Sequence, residues 1–132
     1  MSYLYFFHEV NIIYITGGIT MDINKMKEYR KKYNLKLLQA DDFFKEFGEL
    51  DDKTYSAGAI DKKHKELMGL AISVVSRCNE CICYHIEGCL KAGSNVDEIM
   101  EAIQIGVIGG GSITYPNARF AIKVLEEFTS IE

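Results

Sequence analysis

The sequence predicts an all-α domain, and three observations carry that prediction. Apolar residues recur at helical spacing in two runs, Leu67, Leu70, Ala71 and Val74, then Ile99, Ile103, Val107 and Ile108. Helix starts and stops bracket those runs: Asp61 precedes the first, while Gly93, then Asn95 with Glu98, precedes the second. Between them, Cys78, Cys81 and His85 lie at offsets of three and seven residues, which at about 100° per residue puts all three on one helical stripe.

The elements follow in order. Residues 1–20 are an N-terminal extension of uncertain role, and residues 21–132 form a single domain. The extension has no Lys or Arg, and its apolar run is interrupted by His8, Glu9 and Asn11, which fits neither a signal peptide nor a membrane span. Alternation over Val10–Ile15 followed by Gly17-Gly18 predicts a short strand or an extended arm; Met21 serves equally as a natural start, and that second reading is preferred. Asp22 caps a helix to about Lys32, and Asn34 opens another whose apolar face is Leu37, Leu38, Phe43, Phe44, Phe47 and Leu50. Ser56–Ala59 is a loop. Asp61 caps the helix carrying Glu66, which ends near Arg77, and the cysteine helix then runs from Asn79 to a Gly93 stop. Asn95 and Glu98 make a capping-box pattern for the next helix, which should pack antiparallel to the cysteine helix. Gly109-Gly110-Gly111 either bends the chain or admits close packing beside the thiol site, and Tyr115 to Phe128 is a final amphipathic helix.

Composition narrows the function classes. A chain of 132 residues, 48% apolar and 26% charged, is one domain by length with a modest core that oligomerisation would help. A net charge of −4 and no basic cluster interleaved with aromatics argue against nucleic-acid binding. Four cysteines, two of them in a C-x-x-C, with no secretory signal point to a reducing cytoplasm and thiol chemistry rather than a disulfide scaffold.

Cα atoms three apart in a helical turn are roughly 5 to 6 Å apart, inside the range at which a disulfide closes without backbone movement. A helix beginning near Asn79 would favour a thiolate at Cys78 through its unpaired first-turn amides and positive dipole end. His85, one turn beyond Cys81, is placed to exchange a proton with that sulfur, and a buried carboxylate such as Glu66 would hold the imidazole. Zinc on Cys78, Cys81, His85 and Cys89 is the chemical competitor. One continuous helix spreads Cys78 and Cys89 over roughly 16 Å, whereas zinc needs its donors within about 2.0 to 2.3 Å of one point. No metal and no cofactor is expected. Cys83, off the stripe, and Cys89 read as small buried apolar residues.

Glu66, eleven residues, Cys78, two residues, Cys81, three residues and His85 resembles the signature of the alkylhydroperoxidase D-like (AhpD-like) proteins of the carboxymuconolactone decarboxylase superfamily. The likeness runs from Asp61 to about Phe128: a Lys/Glu-rich helix start, the small-residue run Gly69-Leu70-Ala71-Ile72-Ser73, the cysteine helix ending Leu90-Lys91-Ala92-Gly93, a Val96-Asp97-Glu98-Ile99 start and the triple glycine. The resemblance implies an AhpD-like helical bundle with the C-x-x-C at the start of a central helix, assembled as a homo-trimer or homo-hexamer. It implies a thiol-dependent peroxidase or disulfide reductase that cycles a Cys78-Cys81 dithiol and disulfide, with Glu66 and His85 relaying protons. Its substrate would be a peroxide or a disulfide, and its partners a lipoyl-bearing or other dithiol reductant protein and a peroxiredoxin, with no membrane association. The decarboxylase branch lacks the cysteine pair, which argues against lactone decarboxylation.

Two departures stand out. Glu80 occupies the position before the second cysteine where well-known members have histidine, and a negative charge there raises neighbouring thiol pKa values. Ser112-Ile113 follows the triple glycine where proline and alanine are usual, and the only proline is Pro116. In the expected chemistry His85 deprotonates Cys81, the candidate for peroxide, while Cys78 is the more exposed cysteine and meets protein partners. The alternatives are a non-redox acid-base enzyme using Glu66 and His85, and a non-catalytic oligomeric module.

Overall fold

The computed structural model describes residues 22–130. The expected strand or arm near Val10–Ile15 and the start at Met21 lie outside those residues. The chain divides into two compact units, one ending at Ala40 and the other beginning at Asp41, a division inside the range 21–132 assigned above to one domain. The described residues contain six α-helices, one 3-10 turn and no strand.

The first unit holds α1, Ile23–Ala40. Asp22 opens it by accepting from the Lys25 amide at 3.1 Å. The stop expected at Lys32 and the new start at Asn34 are absent: the helix runs straight through, with Tyr29 against Tyr33 at 4.5 Å one turn apart. Lysines, leucines and Gln39 on either side of Asn34 are good helix formers, and with no Gly or Pro to stop it propagation outweighs one asparagine's preference for a cap. The break falls at Asp41, which is extended and accepts from the Phe43 amide.

The second unit begins with α2, Asp42–Tyr55. It buries none of its residues, and Phe43, Phe47 and Leu50 are each about three-fifths exposed. Residues 56–60 form a bend, and α3, Lys62–Val75, starts at Asp61, which accepts from the His64 amide at 2.8 Å. Next come α4, Asn79–Lys91; α5, Val96–Gly110; the 3-10 turn Ser112–Thr114; and α6, Tyr115–Thr129.

These last four helices close a ring. α3 packs on both α4 and α5, and α6 packs on α4 and α5 from the other side. The expected direct pairing of α4 with α5 is therefore replaced by α3 lying between them. Gly106 of α5 explains the approach: a Cβ there would sit 2.7 Å from Val74 Cβ and 2.9 Å from the Ala71 carbonyl oxygen of α3. The core of the ring is Leu70, Val74, Ile82, Ile86, Ile99, Ile103, Ala121, Val124 and Leu125. Ile108, expected to be on the inner face, is 87% exposed, and Val107 is only half-buried. Ile108 falls on the outward side of a helix whose inner stripe is Ile99, Ala102, Ile103 and Gly106.

Two helix ends share one geometry. At the end of α4, the amides of Gly93 and Ser94 return to the carbonyls of Leu90 and Cys89, with Gly93 at φ 89°. At the end of α3, the amides of Arg77 and Cys78 return in the same pattern to Val74 and Ser73, but here a non-glycine, Arg77, holds φ 57°. The Asn95–Glu98 capping box forms as expected. In the triple glycine, Gly111 turns the chain at φ 79° and Gly110 lies against Thr114.

Candidate functional site

The site is built where α3 ends and α4 begins. Cys78 is the N-cap of α4: its amide is tied back to the Ser73 carbonyl at 3.1 Å, and its sulfur accepts from the Cys81 amide at 3.2 Å. Cys78 and Cys81 are joined in a disulfide with their Cα atoms 5.2 Å apart, within the span anticipated from helical geometry. Asn79, between them, accepts from Asn117 Nδ2 of α6 at 2.9 Å, so a second helix fixes the first turn of α4.

The two cysteines differ in exposure, and in the opposite sense to the sequence expectation. Cys81 is exposed and Cys78 is half-buried. The cap position ties the Cys78 backbone to the end of α3, whereas Cys81 lies inside the first turn.

Seven residues after Cys78, His85 is buried, and α3 brings Glu66 to it. Nδ1 of His85 lies 2.9 Å from Glu66 Oε2, and Glu66 is 5% exposed. A carboxylate only accepts, so Nδ1 carries the hydrogen and Nε2 of the neutral ring is left to accept one. The other carboxylate oxygen, Oε1, accepts from Lys62 Nζ at 3.2 Å. Glu66, which by its charged surroundings in sequence looks like a solvated surface residue, is thus buried with both oxygens engaged.

Two glycines make room for this pair. A Cβ on Gly69 would stand 2.5 Å from His85 Cε1, and a Cβ on Gly88 would stand 2.6 Å from Glu66 Cδ. Each helix places a glycine one turn after its own polar residue, and each glycine receives the polar residue of the other helix. That i, i+3 spacing is visible in the sequence, although only the packing of α3 on α4 gives it meaning.

Aromatic rings enclose the imidazole. Tyr84 meets it edge-on at 5.2 Å, and Tyr55, the last residue of α2, lies tilted over it at 5.0 Å. Burial, then the charge of Asp51, then that of Glu66, raises both phenol pKa values, so both hydroxyls stay protonated through the neutral range. Tyr55, Gly88 and Asn117 have no place in the Glu66–Cys78–Cys81–His85 spacing and come from the fold alone.

Cys83 and Cys89 are fully buried and lie outside the disulfide. Burial, and next the Glu66 charge, pushes the Cys89 thiol up to about 12, which keeps it protonated and unreactive. Among the described residues no group of three or more His, Cys, Asp or Glu is gathered as a metal site would need, and no helix is long and apolar enough to cross a membrane.

The model of the carboxymuconolactone decarboxylase family matches residues 41–127. A crystal structure of a Thermotoga maritima protein superposes with TM-score 0.78 at 42% identity, covering 81% of this chain and 95% of that one. Another crystal structure of the same protein, at TM-score 0.76 and 41% identity over 81% and 92% of the two chains, describes it as a carboxymuconolactone decarboxylase family protein suggested to take part in an antioxidative response. A protein of that family from Legionella pneumophila superposes with TM-score 0.63 at 29% identity, covering 85% of this chain and 95% of that one. An uncharacterized cox-locus protein of Paracoccus denitrificans is 33% identical over 81 residues, 61% of this chain and 73% of its own.

Proposed function

This chain belongs to the carboxymuconolactone decarboxylase family, and we propose that it is a thiol-dependent oxidoreductase that reduces a peroxide or a disulfide by cycling the Cys78–Cys81 pair. The observation that carries the reading is a disulfide at a helix N-terminus with a buried, carboxylate-bound imidazole one turn after its second cysteine.

In the reductive half, a thiolate of an external dithiol attacks the sulfur of Cys81, the more exposed residue of the pair. A mixed disulfide forms, the Cys78–Cys81 bond breaks, and Cys78 leaves as a thiolate. The Cys81 amide and the positive end of α4 stabilise that leaving group. The reductant's second thiol then displaces Cys81, so two electrons pass to the protein and the reductant departs as a disulfide.

In the oxidative half, His85 takes the proton of Cys81, and Glu66 holds the imidazolium that results. The thiolate attacks the terminal oxygen of a hydroperoxide: an S–O bond forms, the O–O bond breaks, and His85 returns its proton to the departing alkoxide. Cys78 condenses with the sulfenic acid, closing the disulfide and releasing water. With a disulfide substrate, a mixed disulfide takes the place of the sulfenic acid.

The antioxidative response suggested for the Thermotoga relative supports a peroxide as oxidant. A lipoyl-bearing dithiol protein fits as reductant, and a peroxiredoxin as a further partner that this chain would reduce. Exposed Ile72, Val75, Ile105, Ile108 and Ile113 on and after α3 and α5 support assembly as a trimer or hexamer.

The test is a redox titration of the purified protein with mass spectrometry locating the disulfide, beside a peroxide-consumption assay with dihydrolipoamide. A reversible Cys78–Cys81 disulfide and turnover abolished by Cys78→Ser or Cys81→Ser are expected. Turnover that survives both substitutions but not His85→Asn would replace this reading with acid-base chemistry at Glu66 and His85.

A further inference from the structure

We propose that Tyr55 is a positioning residue for His85: its ring, delivered by α2, sets the plane in which the imidazole receives the thiol proton. The inference rests on the thiol reading above and adds a residue that the cysteine, histidine and glutamate spacing does not contain.

Three observations on three elements converge. The hydrogen bond to Glu66 holds one edge of the imidazole, but rotation about that contact would still swing Nε2. Tyr84 closes one side and belongs to the same helix as His85; Tyr55 closes another at 5.0 Å and 36° and comes from elsewhere in the unit, so it supplies the independent constraint. Gly69 lies beneath both: a Cβ there would meet His85 Cε1 at 2.5 Å and the Tyr55 hydroxyl at 2.8 Å, so the position is kept empty for the two rings together.

The anchoring of Tyr55 argues the same way. α2 buries no residue, and its large apolar side chains point to solvent. Its C-terminal end is nonetheless clamped by Lys65 of α3, whose Nζ donates to the carbonyls of Thr54 at 2.8 Å and Ser56 at 2.7 Å, one on either side of Tyr55. Lys65 is next in sequence to Glu66, so the helix that holds the carboxylate also fixes the backbone that carries the ring. An electron-rich face over the imidazole also favours the imidazolium formed as the proton arrives. The Tyr55 ring faces His85 of α4, and its phenol pKa is raised by burial and then by the charges of Asp51 on its own helix, Glu66 of α3 and Tyr84 of α4, which keeps it neutral.

The experiment is the rate of alkylation of the reduced protein by iodoacetamide across pH, read at Cys81 by mass spectrometry, together with peroxide turnover and thermal melting. In Tyr55→Leu the alkylation rate at neutral pH and the turnover number should fall about tenfold, with the pH profile displaced upward. Tyr55→Phe, which keeps the ring, should restore both. Tyr55→Met fills similar space without a ring and repeats the test if the leucine variant does not fold. A folded Tyr55→Leu or Tyr55→Met protein with the unaltered pH profile overturns the assignment, as does a Tyr55→Phe protein that is as impaired as either. If His85→Asn also leaves the profile of the parent protein unchanged, the thiol relay itself fails and the role of Tyr55 with it; if His85→Asn shifts it and Tyr55→Leu does not, only Tyr55 is removed.

Discussion

The carboxylate of Glu66 lies directly over the backbone of Gly88, so close that a methyl at position 88 would sit 2.6 Å from Glu66 Cδ. α4 therefore carries a gap shaped for a side chain of α3, and the carboxylate reaches Nδ1 of His85 through it.

Gly88→Ala should destabilise the protein despite the better helix propensity of alanine. Propensity gains about 1 kcal/mol, and forcing a methyl into an occupied space costs about 1 to 3 kcal/mol, so overpacking wins and turnover falls as Glu66 is pushed from His85. Gly48→Ala in α2, where a Cβ meets nothing within 4 Å, is the control. It should gain stability by up to about 1 kcal/mol. Urea denaturation of both variants checks the opposite signs.

Glu66→Gln should leave the fold intact and lower turnover by about a hundredfold. The amide fills the same space yet cannot balance the charge of an imidazolium at His85. A steady-state assay with a dithiol reductant and a hydroperoxide reads this out, and a loss below threefold would remove Glu66 from the relay.

Arg77→Gly should stabilise the protein by about 1 kcal/mol, because a non-glycine residue held at φ 57° pays a steric cost that glycine avoids. The gain is expected in urea or thermal unfolding. Equal or lower stability would mean that the Arg77 side chain makes compensating contacts.

Stability should depend on the ion pair of Lys63 and Glu98, 2.7 Å apart between α3 and α5, at both ends of the pH range. The Lys63 hydrogen bond, and then the Asn95 amide, holds the Glu98 carboxyl below its ordinary value. That contribution is present above the ordinary glutamate pKa and is lost as pH falls through the lowered one. Lys63 is raised by the same bond, so its contribution is present below the ordinary lysine pKa and is lost as pH rises through the raised one. Glu98→Gln should therefore flatten both edges of a melting temperature against pH curve, and salt should act in the same direction because both side chains are still partly open to solvent.

Much of the fold was legible because local chemistry decided it. Asp61, Gly93 and the Asn95–Glu98 box ended and began helices where the sequence places them, since each acts on backbone groups within four residues of itself. Asn34 misled because a single preferred cap loses to good helix formers on both sides. The expected antiparallel pairing of α4 with α5 did not form, because helix neighbours depend on which helix fits into which groove, and Gly88 and Gly106 both admit α3.

The candidate site divides the same way. By itself the sequence determined the helical class, the 5 Å reach that joins Cys78 to Cys81, and the stripe that carries His85 one turn beyond Cys81, all of them consequences of 3.6 residues per turn. Only the tertiary structure decided that Glu66 is buried against His85, that Cys81 rather than Cys78 is the more exposed cysteine, and that Tyr55 covers the imidazole. Those features depend on the distance and rotation between helices, which are set by close packing of side chains far apart in sequence and leave no periodic trace along the chain.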